Sequence, residues 1–323
     1  MKTFGPMNSW FALGVALLAG AGVHAQGSYP DKPITLIVPF PPGIVDANAR
    51  VIATKAGAIL GQPFVVRNVA GAGQRIGNDQ LAKAPKDGYT IGVVTNAGVV
   101  SGPALAARMP YDAVRDFSYL ALGFESHYLI NTQPASGIRT LPQLVERARA
   151  APDQLRFGST GVGTGFHVAT EQFLRAAQIK LQHIPYKGES PLLVDLVGGQ
   201  VEMGFSSLAS RSMADQGKLV MLAYTGDSRS PLLPQVPTVK ELGIPHVSSG
   251  WLGFAAPAGI PQAIRDRLIS ALVAASRDPE VVEHFTKSGI EPRSLAGDAF
   301  AARVKREIDE LRELNKELKL TLE

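Results

Sequence analysis

The chain has 323 residues, no cysteine and a formal net charge of +4. Without thiols it has no cysteine nucleophile, no thiolate zinc site and no cysteine for lipid attachment, and its length allows cores large enough to dispense with disulfides. Positive and negative residues are mixed along it, with no Lys/Arg run interleaved with aromatics, so nucleic-acid binding has no support.

In chain order the first segment reads as an export signal. Lys2 precedes an apolar or small run from Trp10 to Val23, shorter than the about 17–25 residues of a membrane span but suited to a secretory core. Val23, His24 and Ala25 form a small-x-small cleavage pattern. Cleavage after Ala25, a mature start at Gln26 and a periplasmic location are expected. No later segment is long and apolar enough to span a bilayer. The remainder is near the size at which a chain divides into two cores of about 150 residues each.

The apolar run from Ile34 to Val38 reads as a buried strand, stopped by Phe40, Pro41, Pro42 and Gly43. Ile44, Val45 and Asp46 then lead into a helix expected over residues 47–60, with Val51, Ile52, Ala56 and Ile59 on one face. A strand, a rigid turn and a helix N-terminus present free backbone N–H groups, which suit a carboxylate or phosphate. A second strand is expected at 64–66. Gly71, Gly73 and Gly77 look like a dinucleotide-binding run, but they do not emerge from the first strand of a βαβ unit. They are read as a loop feeding a helix beside a cleft, with no nucleotide cofactor. A third strand at 90–94 runs out at Thr95, Asn96 and Ala97.

Further on, Thr140 with Gln143 and Thr238 with Glu241 have capping-box spacing and mark two helix starts. The run from Phe157 to His167 contains Ser159, Thr160, Gly161, Gly163, Thr164 and Gly165 ahead of a helix carrying Phe166, Phe173 and Leu174. Glycines permit close backbone approach and the hydroxyls can cap. The run is either a second ligand loop or an ordinary glycine-rich turn, and it is neither a Walker loop nor a nucleophile elbow. His167 suits a ligand contact or a structural hydrogen bond equally. Tyr186 can close over a ligand and Lys187 can attract an anion, although Lys187 also reads as a solvated charge and Asp195 as an ordinary helix residue. Ser206 falls at the polar end of a later strand.

Pro261 opens a helix with Ile264, Leu268 and Leu272, and the last helix is amphipathic through Phe300, Val304, Ile308, Leu311 and Leu318, its charged face solvated. The six histidines show no metal-ligand spacing, so no metal is expected. Alternating strands and helices indicate an α/β fold with largely parallel sheets. Strand-like crossings at 120–129 and 249–256 would enclose one domain of residues 128–248, leaving 26–127 plus 249–323 in the other.

Several segments in order carry a resemblance. They are Val38-Pro39-Phe40-Pro41-Pro42-Gly43, Asn68-x-x-Gly71-Ala72-Gly73, Asp87-Gly88-Tyr89-Thr90, Pro110-Tyr111-Asp112, Gly161-x-Gly163-Thr164, His167, Pro185-Tyr186-Lys187-Gly188, Trp251-x-Gly253 and Pro257-Ala258-Gly259. From about Tyr29 onward the chain resembles the Bug-type extracytoplasmic solute receptors of tripartite tricarboxylate transporters. The resemblance implies a two-domain periplasmic binding protein, a type II-like Venus flytrap, with a cleft for a small carboxylate. It implies a binding protein rather than an enzyme, a monomer without cofactor, docking on the membrane permease subunits of such a transporter.

By position, Phe40, Pro41, Gly43, Ile44, Val45, Asp46 and Asn96 would face the ligand from one domain, and Ser159, Thr160, Gly161, Thr164, His167, Tyr186 and Ser206 from the other. Contacts at the loops 41–46 and 159–164 would be largely through backbone N–H groups and water. This chain departs from the family at two points. The turn after Pro42 is one glycine short, putting β-branched Ile44 where a positive φ would be strained, and Arg75 stands where Asn is common. Two other readings remain open: a ligand-sensing partner of a signalling receptor, and a serine hydrolase using Ser159 and His167.

Overall fold

The computed structural model describes residues 29–322. The expected signal segment and its cleavage site lie outside the described residues. The Ile34–Val38 run forms β1, inward-facing along almost its whole length, and Pro39 ends it. There follow α1 (Ile44–Leu60), β2 (Phe64–Asn68), α2 (Arg75–Ala82), β3 (Thr90–Thr95), a single-turn α3 (Gly102–Leu105) and β4 (Phe117–His127). The middle of the chain runs β5 (Leu129–Thr132), α4 (Leu141–Ala150), β6 (Arg156–Ser159), α5 (Gly165–Ala177) and β7 (Gln182–Pro185). It continues through α6 (Glu189–Val197), β8 (Met203–Ser206), α7 (Arg211–Asp215) and β9 (Val220–Tyr224). The remainder is β10 (Ser249–Pro257), α8 (Gln262–Ser276), α9 (Pro279–Lys287), β11 (Glu291–Pro292) and α10 (Gly297–Leu318).

Two details differ from the sequence reading of α1. The helix begins at Ile44 rather than Ala47, and Gly43 before it is extended, so Ile44 needs no positive φ and the turn carries no left-handed strain there. Its buried face runs through Ala49, Ile52, Ala53, Ala56 and Leu60, while Ile59 is 54% exposed. The small alanines let the helix approach α8 and the sheet closely, which turns the buried arc toward them and leaves Ile59 outside.

The strands form a six-stranded sheet in the order β11-β4-β10-β3-β1-β2 and a five-stranded sheet in the order β7-β6-β8-β5-β9. Each is the centre of an α/β lobe with its own apolar core. Burial of α10 through Phe300, Val304, Ile308, Leu311 and Leu314 closes one face of the first sheet. Each such side chain contributes about 1.5–3 kcal/mol.

Register shows which strand ends meet. Thr95 at the end of β3 pairs with Leu252, and Ser249 at the start of β10 pairs with His127 at the end of β4. Parallel β1 ends on the same edge, since Ile37 pairs with Gly92. In the second sheet Leu129, opening β5, pairs with Ser206, closing β8, and β6 runs parallel to both β7 and β8. Only Tyr128 separates β4 from β5. The carboxyl ends of both parallel sets therefore face each other across the crossing, the place where open α/β sheets take ligands.

The two crossings are tied together. The Tyr128 N–H donates to Thr225 Oγ1 at 2.8 Å, which donates to the Ser248 carbonyl at 2.7 Å. The Thr225 N–H donates to the Tyr128 carbonyl at 2.9 Å, and the Ser248 N–H to the Thr225 carbonyl at 3.0 Å.

Both capping boxes form, but only one caps a helix. Thr140 and Gln143 start α4. Thr238 and Glu241 exchange their bonds at 2.8 and 3.0 Å around a turn that goes no further. Gly243 at φ +83° and Pro245 just beyond it stop the coil, and Thr238 is held in a bridge to Tyr224. The helix expected after Thr238 is thus a correction.

Candidate functional site at the facing strand ends

On the first edge, the N-terminus of α1 has no capping side chain. Helix geometry leaves the N–H groups of its first turn without intrahelical partners, and the macrodipole adds positive potential there. Pro41, Pro42 and Gly43 are exposed, Ile44 is 80% exposed, and Phe40 and Val45 are half-buried. Asp46 turns inward instead. Its carboxylate accepts Arg50 Nε at 2.9 Å and Asn68 Nδ2 at 3.0 Å. Asn68 Nδ2 also reaches the Phe40 carbonyl at 3.0 Å, so Asp46 and Asn68 brace the turn from beneath. The Arg50 hydrogen bond, outweighing burial and helped by Asn68, holds the Asp46 carboxyl below its usual range. Pairing also removes most of the repulsion that a free carboxylate would exert on an incoming anion.

Asn96 stands at the same edge with its side chain bonded at both ends. Its Nδ2 donates to Glu307 Oε2 at 3.1 Å and its Oδ1 accepts the Trp251 N–H at 2.7 Å.

On the second edge, the loop between β6 and α5 is tied to itself. Thr160 Oγ1 donates to Thr164 Oγ1 at 2.9 Å, which donates to the Gly161 carbonyl at 2.8 Å. Gly161 N–H donates to Ser159 Oγ at 3.2 Å, and Gly163 N–H to His167 Nδ1 at 3.0 Å. Gly161 (φ +125°) and Gly163 (φ +73°) supply a conformation that other residues rarely adopt. Because the hydroxyls are spent on the loop, α5 also lacks a capping side chain at its N-terminus.

His167 makes a structural hydrogen bond here, and with Ser159 and Ser206 it is buried beneath the edge rather than lining it. Ser206 Oγ is taken by Asn131 Nδ2 at 2.6 Å and by Ser210 Oγ at 2.7 Å. The Tyr186 hydroxyl donates to Asp195 Oδ2 at 2.9 Å, which gives Asp195 a positioning role absent from the sequence reading. Thr160, Gly161, Thr164 and Tyr186 are partly exposed on this edge, and Lys187 is exposed.

A cavity of about 400 Å³ lies beside the crossing, between α5 and α10. Of the residues expected from sequence to face the ligand it contains only Asn96; its other walls include Gly165, Gln172, Glu125, Arg303 and Glu307. Buried Glu125 pairs with Arg303 and, at 2.7 Å, with Arg293, while Arg303 Nε reaches Glu307 at 2.7 Å. Trp251 Nε1 donates to Glu307 at 2.9 Å. Burial would raise the Glu125 carboxyl, but Arg303 and Arg293 hold it below the usual range. This network corrects the view of α10's charged face as wholly solvated: the Arg303 and Glu307 side chains are 17% and 20% exposed. Their i,i+4 spacing was visible in sequence, but their partners lie far away in the chain.

The geometry does not favour the hydrolase reading. Ser159 Oγ meets His183 Nε2 at 2.7 Å, not His167. Ser159 has no exposed surface, and burial together with His167 pulls His183 down to about 4, which makes it a weak base near neutrality. Among the described residues there is no group of three or more potential metal ligands, and no helix is long and apolar enough to cross a membrane.

Two α/β lobes, joined by tied crossings and presenting facing strand ends, define the fold of a periplasmic binding protein. The chain belongs to the tripartite tricarboxylate transporter receptor family, TctC, whose profile matches residues 48–320. That family is one of solute receptors and not of enzymes. The match begins just beyond the turn that leads into α1. Relatives include the UPF0065 protein of the tcbD–tcbE intergenic region of Pseudomonas sp. strain P51, 37% identical over 95% of this chain and 93% of the relative. BugT of Bordetella pertussis is 36% identical over 85% of this chain and 86% of its own. Among solved structures, R. palustris Rpa4515 with adipate is similar at TM-score 0.73 and 29% identity, covering 89% of this chain and 97% of that one. MatC from Rhodopseudomonas palustris with bound malate is similar at TM-score 0.69 and 27% identity, covering 88% and 99%.

Proposed function

We propose that this chain is a periplasmic receptor that takes a small carboxylate between its two lobes and delivers it to the membrane permease of a tripartite tricarboxylate-type transporter. The observation that carries this reading is the pair of uncapped helix N-termini, α1 and α5, standing on facing edges. A carboxylate seated there satisfies backbone donors that no side chain serves, and it lies at the positive ends of two macrodipoles. The dicarboxylates in the two similar structures fit the same chemistry.

In this reading Gly43, Ile44, Val45, Thr160, Gly161, Thr164 and Tyr186 meet the ligand. Asp46, Asn96, Ser159, His167 and Ser206 shape the edges from behind. Residues 26–127 with 249–323 form one lobe and 128–248 the other, and closure is a hinge motion about Tyr128 and the 225–248 segment. The chain is exported with cleavage after Ala25 and works as a monomer.

A thermal-shift screen of the purified protein against mono-, di- and tricarboxylates, with the corresponding neutral amides as controls, tests this. An acid at about 100 times its Kd adds roughly 2.7 kcal/mol of stability. Stabilisation by at least one acid and by no amide is expected. A folded protein that no acid stabilises would overturn the reading.

A further inference from the structure

Directly under the loop between β6 and α5 lie two stacked imidazoles. The rings of His167 and His183 are 3.9 Å apart between centroids and 15° from parallel, and Phe157 covers His183 at 4.8 Å. The hydrogen bonds around them form one consistent arrangement. With a lone pair on His183 Nε2, the Ser159 hydroxyl donates to it at 2.7 Å, and Ser159 Oγ remains free to accept the Gly161 N–H at 3.2 Å. The Gly161 carbonyl then takes the Thr164 hydroxyl at 2.8 Å, and Thr164 is the N-cap residue just before α5. His183 thus connects to the α5 N-terminus through Ser159, Gly161 and Thr164.

We propose that His183 is the positioning residue of the carboxylate loop: its neutral imidazole orients the Ser159 hydroxyl and so fixes the turn that aims the first N–H groups of α5 at the ligand. The inference rests on the receptor reading for its ligand, but the loop geometry can be judged without one. A proton on His183 Nε2 reverses the bond to Ser159. The Ser159 hydroxyl proton then turns toward the Gly161 carbonyl, 3.3 Å away, and competes there with Thr164. The surroundings keep His183 neutral. Burial lowers it to about 4 and the neighbouring His167 adds to this. From β6 it is faced by Phe157 and Ser159, and from α5 by His167, whose own Nε2 lies 3.6 Å from Glu171. Replacement of His183 by Gln retains an acceptor for Ser159 but cannot titrate.

The experiment has two arms. In ligand-free protein, the backbone amide signals of Gly161 and Thr164 are followed by nuclear magnetic resonance as pH falls from 7.5 to 3, alongside the His183 ring. In the wild type the amides are expected to move with the His183 midpoint, and in His183→Gln that midpoint should vanish from them. In the second arm adipate affinity is measured at pH 7.5. His183→Ala is expected to bind about tenfold more weakly, the size of one lost hydrogen bond, and His183→Gln within about twofold of wild type. Amides that stay still while His183 titrates, or a folded His183→Ala with wild-type affinity, would overturn the proposal. If the wild type binds no adipate, that choice of ligand fails, and the first arm still decides the role of His183.

Discussion

His246 offers a stability test whose size follows from its surroundings. The ring is 6% exposed, packs near Phe173 and Phe205, and bonds Ser248 Oγ through Nε2 at 3.0 Å. Burial lowers it from 6.5 to about 4. Between those values the unfolded chain carries a proton on this histidine and the folded chain does not. Acidification therefore favours the unfolded state, progressively as pH falls from 6.5 toward 4, with no further effect above 6.5. At about 1.4 kcal/mol per unit, the loss is roughly 2 kcal/mol at pH 5 and about 3 kcal/mol at pH 4. His246→Gln removes this contribution while losing some packing. Urea unfolding followed by circular dichroism at pH 7.5 and pH 5.0 should show the variant less stable than wild type at pH 7.5. The gap should close by about 2 kcal/mol at pH 5.0. A gap of the same size at both values would refute the argument that this ring is buried in its neutral form.

Three other substitutions probe the parts that position the site. Thr225→Val keeps the shape of the crossing but leaves the Tyr128 N–H and the Ser248 carbonyl without their shared hydroxyl; a loss of about 1–3 kcal/mol and faster proteolysis of the 225–248 segment are expected. Asn68→Ala removes the donors to Asp46 and to the Phe40 carbonyl, so carboxylate affinity should fall severalfold by calorimetry while the melting temperature drops by a few degrees. Glu307→Gln weakens the partner shared by Arg303, Asn96 and the Trp251 indole. Trp251 emission should change, with a stability loss of about 1–3 kcal/mol.

The parts legible from sequence are those with local causes. The β-branched run and proline stop of β1, the glycine-hydroxyl loop before α5 and the apolar stripe of α10 each declare themselves within a few residues. Ser159 and His183 meet only because β6 pairs in parallel with β7, which puts Ser159 opposite Pro185. Glu125 and Arg303 come together only once α10 lies across β4. No pattern along the chain announces either meeting. Thr238 shows the opposite failure: a sound local signal was overruled by Gly243 and Pro245 just beyond it. At Ile44 the strain expected from sequence does not arise. The helix starts earlier, and the turn keeps its open N–H groups without a left-handed residue.

The receptor reading turns on whether a carboxylate sits between the two helix N-termini. A titration of isotopically labelled protein with malate or adipate, followed at backbone amides, tests this most directly. Ile44, Val45 and Asp46 should shift together with Gly165, Phe166 and His167, all with one saturation curve, and the neutral diamide should leave them in place. Saturable binding that moves Gln172, Glu307 and the cavity between α5 and α10 instead, with both helix N-termini unmoved, would contradict it.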